Sequence, residues 1–198
     1  MRKLFSVSVV LCLTALSLTI ACQSAQTQTP AKPAADSPEY FPTATVKDLM
    51  QSVVDPSADV VWLSVTTVQD IKGTHDKAPK TDEEWAQVRH GAIALTEAAN
   101  LLMVPGRHVA RPGEKSETPG VELEPAEMEV LINKDPAAWH KRARDLHDAG
   151  LAAVQAIDAK DADKVFEVGE RIERACEGCH SHYWYPNEKI PPVPASAQ

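Results

Sequence analysis

Near the C-terminal end of the chain the sequence reads RACEGCHSHYWYP, which sets Cys176, Cys179 and His180 within five residues. Thiols at positions i and i+3 project from one face of a helix, so they can reach two neighbouring points on the edge of a single planar group. An imidazole at the next position can ligate a metal at that group's centre from the same side. The chemistry that needs these side chains in this order is covalent attachment of haem. Cys176 and Cys179 would form thioethers with the former vinyl groups, and His180 would be the proximal iron ligand. The competing readings are weaker. A zinc site wants further ligands close by in sequence, such as a second cysteine pair, and none exists. A thioredoxin-like pair opens a helix in a βαβ setting, whereas this pair closes a helical pattern. A disulfide between cysteines three apart on one helix would be strained.

The elements that must position these residues show in the apolar periodicity. Four segments carry a three-four step, which predicts helices packed into a bundle. The second is the cleanest: Thr81 and Glu84 form a capping-box pattern, and Trp85, Val88, Ala92, Leu95, Ala99 and Leu102 follow on one face. The third opens with Asp135 as N-cap and Pro136 at the first helical position. It continues through Trp139, Ala143, Leu146, Gly150, Ala153 and Ile157. The fourth starts near Asp161 and runs through Val165, Val168, Ile172, Cys176, Cys179 and Tyr183 until Pro186 stops it. In the first, Val46, Met50 and Val53 share a face, as do Val61, Val65 and Val68, with a kink or break expected at Pro56, or equally a fresh helix capped by Asp55 and Pro56 and carrying Trp62. The expected fold is all-α: an antiparallel four-helix bundle spanning residues 43–187, with a long loop over residues 104–134 between helices 2 and 3. A loop of that length either covers something or is disordered, and the acidic run at residues 122–129 reads as solvated.

Outside the bundle the chain carries export signals. Arg2 and Lys3 precede an apolar run, so residues 1–21 read as a signal peptide. That run ends LTIAC and resembles a lipobox, in which Cys22 would become the lipidated first residue of the mature protein. Residues 22–42, rich in Gln, Thr, Ala and Pro, read as a flexible tether, and residues 188–198 as a disordered tail. The chain holds 20 basic and 28 acidic residues for a net charge of −8, which becomes −10 once Arg2 and Lys3 are removed. Such a balance argues against nucleic-acid partners and favours basic ones. The expected place is the periplasmic side of a bacterial membrane, held by the lipid, or the soluble periplasm if the signal is simply cleaved.

Four helical segments with CEGCH on the last, followed by an aromatic at Tyr183, resemble the cytochrome c-prime family, including its methionine-ligated low-spin members. The resemblance covers roughly residues 44–186; its haem motif is specific and the remainder is architectural. It implies one covalent haem c inside the bundle, held by Cys176 and Cys179 with His180 as proximal ligand. In the low-spin members a methionine early in the first helix is the other axial ligand, and Met50 holds that place here. Of the other methionines left after processing, Met103 and Met128 lie at or beyond a helix end. A thioether favours ferrous iron and suits one-electron transfer with periplasmic or membrane redox proteins rather than enzymatic catalysis. If Met50 stays off the iron, the resemblance implies a five-coordinate haem that binds a diatomic gas such as nitric oxide. A haem-bearing subunit of a larger complex, docked through the long loop, is a third reading. Proteins of this kind can form homodimers through their first two helices. Two features depart from the family: Trp184 stands where many open-site relatives carry a basic residue, and the compact relatives lack the long loop.

The remaining candidates read more plainly. His140 and His147 sit among charged neighbours, His90 lies off the seam, His182 points away from His180, and His75 falls in an inter-helix loop. His108, Arg107 and Arg111 share the long loop, and either arginine could pair with a haem propionate if the loop folds over the site. Trp62, Trp85 and Trp139 read as core or porphyrin contacts, with Trp184 and Tyr185 shielding an exposed edge.

Overall fold

A computed structural model describes residues 40–188. The signal segment, Cys22, the tether up to residue 39 and the tail from residue 189 lie outside the described residues. Thr45 opens the first helical run: its side chain accepts from the Asp48 N–H at 3.0 Å, and the Asp48 carboxylate accepts in return from the Thr45 N–H. Helix α1 (Val46–Leu49) passes into a π-helical turn (Met50–Val54) and then into α2 (Asp55–Trp62). The run does not break at Pro56; a π-helical turn gives way to α2 at Asp55 with the proline in its first turn, nearer to the fresh helix than to the break. Asp55 donates its N–H to the Met50 carbonyl five residues back, and the widened turn takes up the clash a proline ring makes with the carbonyls before it. The same turn shifts the buried stripe, which steps by five from Leu49 to Val54 before Ser57, Ala58 and Val61 continue it.

The all-α expectation needs correcting, because helix α2 stops at Trp62 and an antiparallel hairpin follows. Strands β1 (Thr66–Asp70) and β2 (Gly73–Lys77) pair across the two residues Ile71 and Lys72. Val68 therefore belongs to a strand and not to the first helix, and His75 lies in β2 opposite it rather than in a loop. Gly73 takes φ +111°, a backbone conformation that a side chain would strain, and this lets the tight turn close.

Helix α3 (Asp82–Leu102) starts at Thr81 with the expected capping box to Glu84, and all six residues of its predicted seam are buried. Residues read as solvated loop form a further helix, α4 (Pro125–Lys134), so the connection between α3 and the next long helix is structured. Proline at its first position and the Glu127 carboxylate, accepting from the Glu124 N–H at 2.8 Å, start it. Helices α5 (Pro136–Asp158) and α6 (Ala162–Tyr183) follow, capped by Asp135 and Asp161 as expected. Helix α3 packs on α5, α5 on α6, and α2 on both α3 and α6. The described residues are thus mostly helical with one small sheet, and none of their helices is long and apolar enough to cross a membrane.

Small residues let these helices approach closely. A Cβ on Gly91 would lie 2.6 Å from the Val60 Cγ1, and one on Gly150 would lie 2.5 Å from the Thr96 Oγ1 and 3.2 Å from that residue's backbone. Gly150→Ala is therefore expected to destabilise the fold by about 1–3 kcal/mol. The gain of about 1 kcal/mol in helix propensity does not offset a clash that involves backbone. Urea unfolding at neutral pH measures the difference, and a more stable variant would show that α3 and α5 separate easily.

The loop after α3 fastens α1. Val46 and Lys47 donate their N–H groups to the carbonyls of His108 and Val109, both at 2.9 Å, and so fill two of the orphan donors at that helix start. Arg111 reaches Asp48 at 2.6 Å. Hydrogen bonds from the Thr45 N–H and hydroxyl, aided by Arg111, hold the Asp48 carboxyl below the usual carboxylate range. The unfolded chain takes up that proton at a higher pH than the folded one. The stabilisation is accordingly present above the ordinary carboxylate range and is lost as pH falls through the lowered value. Asp48→Asn is expected to flatten the acid limb of a stability-against-pH curve, and a variant whose acid limb matches the wild type would show that Asp48 does not contribute to it.

Candidate functional site

Four helical faces and one loop converge on a cavity of about 510 Å³. Helix α6 contributes Cys176, Cys179, His180 and Tyr183, which share one face at spacings of three, four and seven. Helix α5 contributes Trp139, Arg142, Ala143 and Leu146 at the same spacing. The first helical run contributes Val46, Met50, Val54, Ala58 and Trp62, each four residues after the last. On an ordinary helix a step of four drifts by about 40° around the axis. The π turn, with more residues per turn, counters that drift and keeps the five on one side.

Residues of the long connection roof the cavity: Val109, Ala110, Lys115 and Ser116 from the loop, then Pro125, Met128 and Ile132 from one face of α4. Val109 is buried, and its N–H donates to the Glu129 carboxylate at 2.9 Å. The far end of the loop is tied down where the Leu123 N–H donates to the Trp184 carbonyl at 2.7 Å. The roof is thus bonded to α1 at one end and to the residue after α6 at the other.

Burial shapes the chemistry of the motif. Cys176 and Cys179 are free thiols, and burial pushes them up to about 11 and about 12 respectively, with Glu173 and Asp55 adding to the rise at Cys176. Thiols held protonated at the C-terminal end of a helix make poor thiolates, which slows disulfide exchange. Burial also lowers the pKa of His180, so its imidazole is neutral at pH 7, the form that ligates metal. The His180 ring meets the Trp184 and Tyr185 rings edge-on, with centroids 5.0 and 6.0 Å away. Tyr185 donates its hydroxyl to Glu177 at 2.7 Å, which anchors this aromatic corner to the motif itself.

The residues present fit a flat, largely apolar organic group. The cavity lies within the range that takes a small-molecule cofactor, roughly 300–1,000 Å³, and its walls are mainly apolar. The hydroxyl of Tyr183 is buried at its edge without a hydrogen-bond partner. The Met50 thioether and the neutral His180 imidazole line the same space.

The cavity brings together Cys176, Cys179, His180 and Met50, and it includes Trp62, Trp139, Trp184 and Tyr185. Trp85 packs in the core instead. Arg107 and Arg111 do not line it: Arg107 donates to the carbonyls of Leu101 and Ala44, and Arg111 pairs with Asp48. His108 is exposed beside Glu129, and His140 and His147 are half-buried rather than solvated. Arg142 from α5 and Lys47 from α1 were not singled out from the sequence, and Met128, set aside there as lying at or beyond a helix end, enters from α4. Arg142 was detectable, since it falls three residues after Trp139 at the edge of the apolar seam. Met128 was not, because helix α4 went unrecognised.

No protein-family model matches the chain, and no curated protein or solved structure matches it.

Proposed function

We propose that the chain is an exported monohaem c-type cytochrome that carries single electrons. The observation that supports this most is the delivery of Cys176, Cys179 and His180 by one face of α6 into an apolar cavity that also holds Met50. In this reading the composite first run, α3, α5 and α6 are the four rods of a bundle, and the closed circuit of contacts among α2, α3, α5 and α6 supports that architecture. Cys176 and Cys179 would hold the haem through thioethers, each made by adding an S–H across a vinyl group, which needs no oxidant. His180 and Met50 would hold its iron, and a thioether would favour the ferrous state. Haem c supplies a reversible one-electron couple. The chain's part is to exclude water with the apolar walls, hold both ligands on helices, and keep the site fixed as its charge changes. Its acidic balance steers it towards basic patches on periplasmic or membrane redox proteins, and a lipid at Cys22 would keep it on the membrane.

The deciding experiment is the absorption spectrum of the protein made in a host competent for c-type maturation, recorded oxidised, reduced, and reduced under carbon monoxide. A low-spin spectrum with the weak far-red methionine band, unchanged by the gas, is the expected result. A high-spin spectrum that shifts with carbon monoxide would make the protein a gas binder, and absence of pigment would end the haem reading.

A further inference from the structure

Arg142 stands where the main cavity meets a second, polar groove of about 280 Å³ between α5 and α6, and it lines both. Its guanidinium donates through Nη1 to the carbonyl of Gly178, inside the motif between the two cysteines. A Cβ at Gly178 would lie 3.4 Å from that same nitrogen, so the guanidinium rests against this turn of α6. The group also lies 6.0 Å from the ring centre of Tyr183, within reach of a cation–π contact. Among the described residues no carboxylate sits within ion-pair distance of it. Asp145, in the same groove, is taken up by Lys141 at 2.8 Å. The charges facing the motif are therefore divided. Asp55, Glu173 and Glu177 act on Cys176 and His180, and Arg142 is the cation that acts on Cys179.

We infer that Arg142 is a positioning residue of the attachment site, which holds the Cys176–His180 turn through the Gly178 carbonyl and raises the reduction potential of the haem bound there. The inference rests on the haem reading above. Reduction adds one negative charge at the iron, and a half-buried cation beside the motif favours that state in a medium where charges are weakly screened. The three carboxylates work in the opposite sense, and losing Arg142 removes the cation that stands at the Cys179 end of the motif, whereas Lys47 and Lys115 line the cavity from α1 and the loop.

Redox titration of the haem-loaded wild type, Arg142→Gln and Arg142→Lys tests this. The glutamine variant is expected to keep its covalent pigment and shift to a lower midpoint potential, and lysine, which keeps the charge, to recover most of the shift. A glutamine variant at the wild-type potential would overturn the inference. Should that variant not fold, Arg142→His decides: its potential is expected to step down as the introduced imidazole loses its proton, at about pH 6–7. A histidine variant whose pH profile parallels the wild type would also overturn it. A wild type without covalent pigment would instead remove the haem reading, and this inference with it.

Discussion

On the proposed haem reading, replacing Cys176 and Cys179 together by serine is expected to abolish all pigment that survives denaturation. Serine matches the cysteine in shape closely enough for α6 to form, but its hydroxyl does not add to a vinyl group under the same conditions. The walls of the cavity would be intact and the bond to the chain gone. Each single variant keeps one thioether and leaves one vinyl group unsaturated. The longer conjugation should then move the reduced visible bands to longer wavelength. The double variant should also unfold at a lower temperature than the loaded wild type. A group that binds the folded chain alone stabilises it, and the covalent tether makes that occupancy permanent. Haem staining after denaturing electrophoresis reads the first outcome and a thermal melt the second. Pigment that persists in the double variant would show that attachment does not run through these sulfurs.

Met50→Ala should convert the spectrum from low-spin to high-spin and turn carbon monoxide binding from undetectable to stoichiometric. A methyl group cannot reach the iron, so His180 would be left as the one axial ligand. Because Met50 is half-buried, the packing loss should stay at or below about 2 kcal/mol, the low end for methionine truncation in a core. The fold is therefore expected to survive, which separates ligand loss from unfolding. If the variant remains low-spin, Met128, the second methionine lining the cavity, is the next side chain to remove. A Met50→Ala/Met128→Ala protein that is still low-spin would rule out thioether ligation. A wild type already high-spin would move nitric oxide or another diatomic gas to the centre of its function.

The helices that sequence described well are those in which caps and periodicity agree. Thr81 with Glu84, and Asp135 with Pro136, set the starts of α3 and α5, and the seams behind them are buried as read. The first run was harder because its stripe changes period inside the helix. A step of five from Leu49 to Val54 falls outside the three-four pattern, and Pro56 reads locally as a breaker. The hairpin was hidden for a different reason. Its strands are largely exposed and carry no clean alternation, while Val61, Val65 and Val68 mimic one helical stripe. Helix α4 has no fully buried residue, so its sequence looks polar although Met128 and Ile132 face the cavity. The chemical site was legible because CEGCH is local, whereas Arg142 and the roof depend on which helices become neighbours.

The roof of the cavity has a bearing on the order in which the protein can be made. Its two ends are bonded to residues near the start and the end of the domain, Val46 and Trp184. A chain emerging from its N-terminus holds the loop, α4 and α5 before Trp184 exists outside the exit pore, so the far fastening cannot form until the attachment motif has itself been delivered. On the proposed haem reading, a group that arrives before the Leu123–Trp184 bond forms would meet an untethered wall, and one that arrives later would have to enter beside a wall already fastened at both ends.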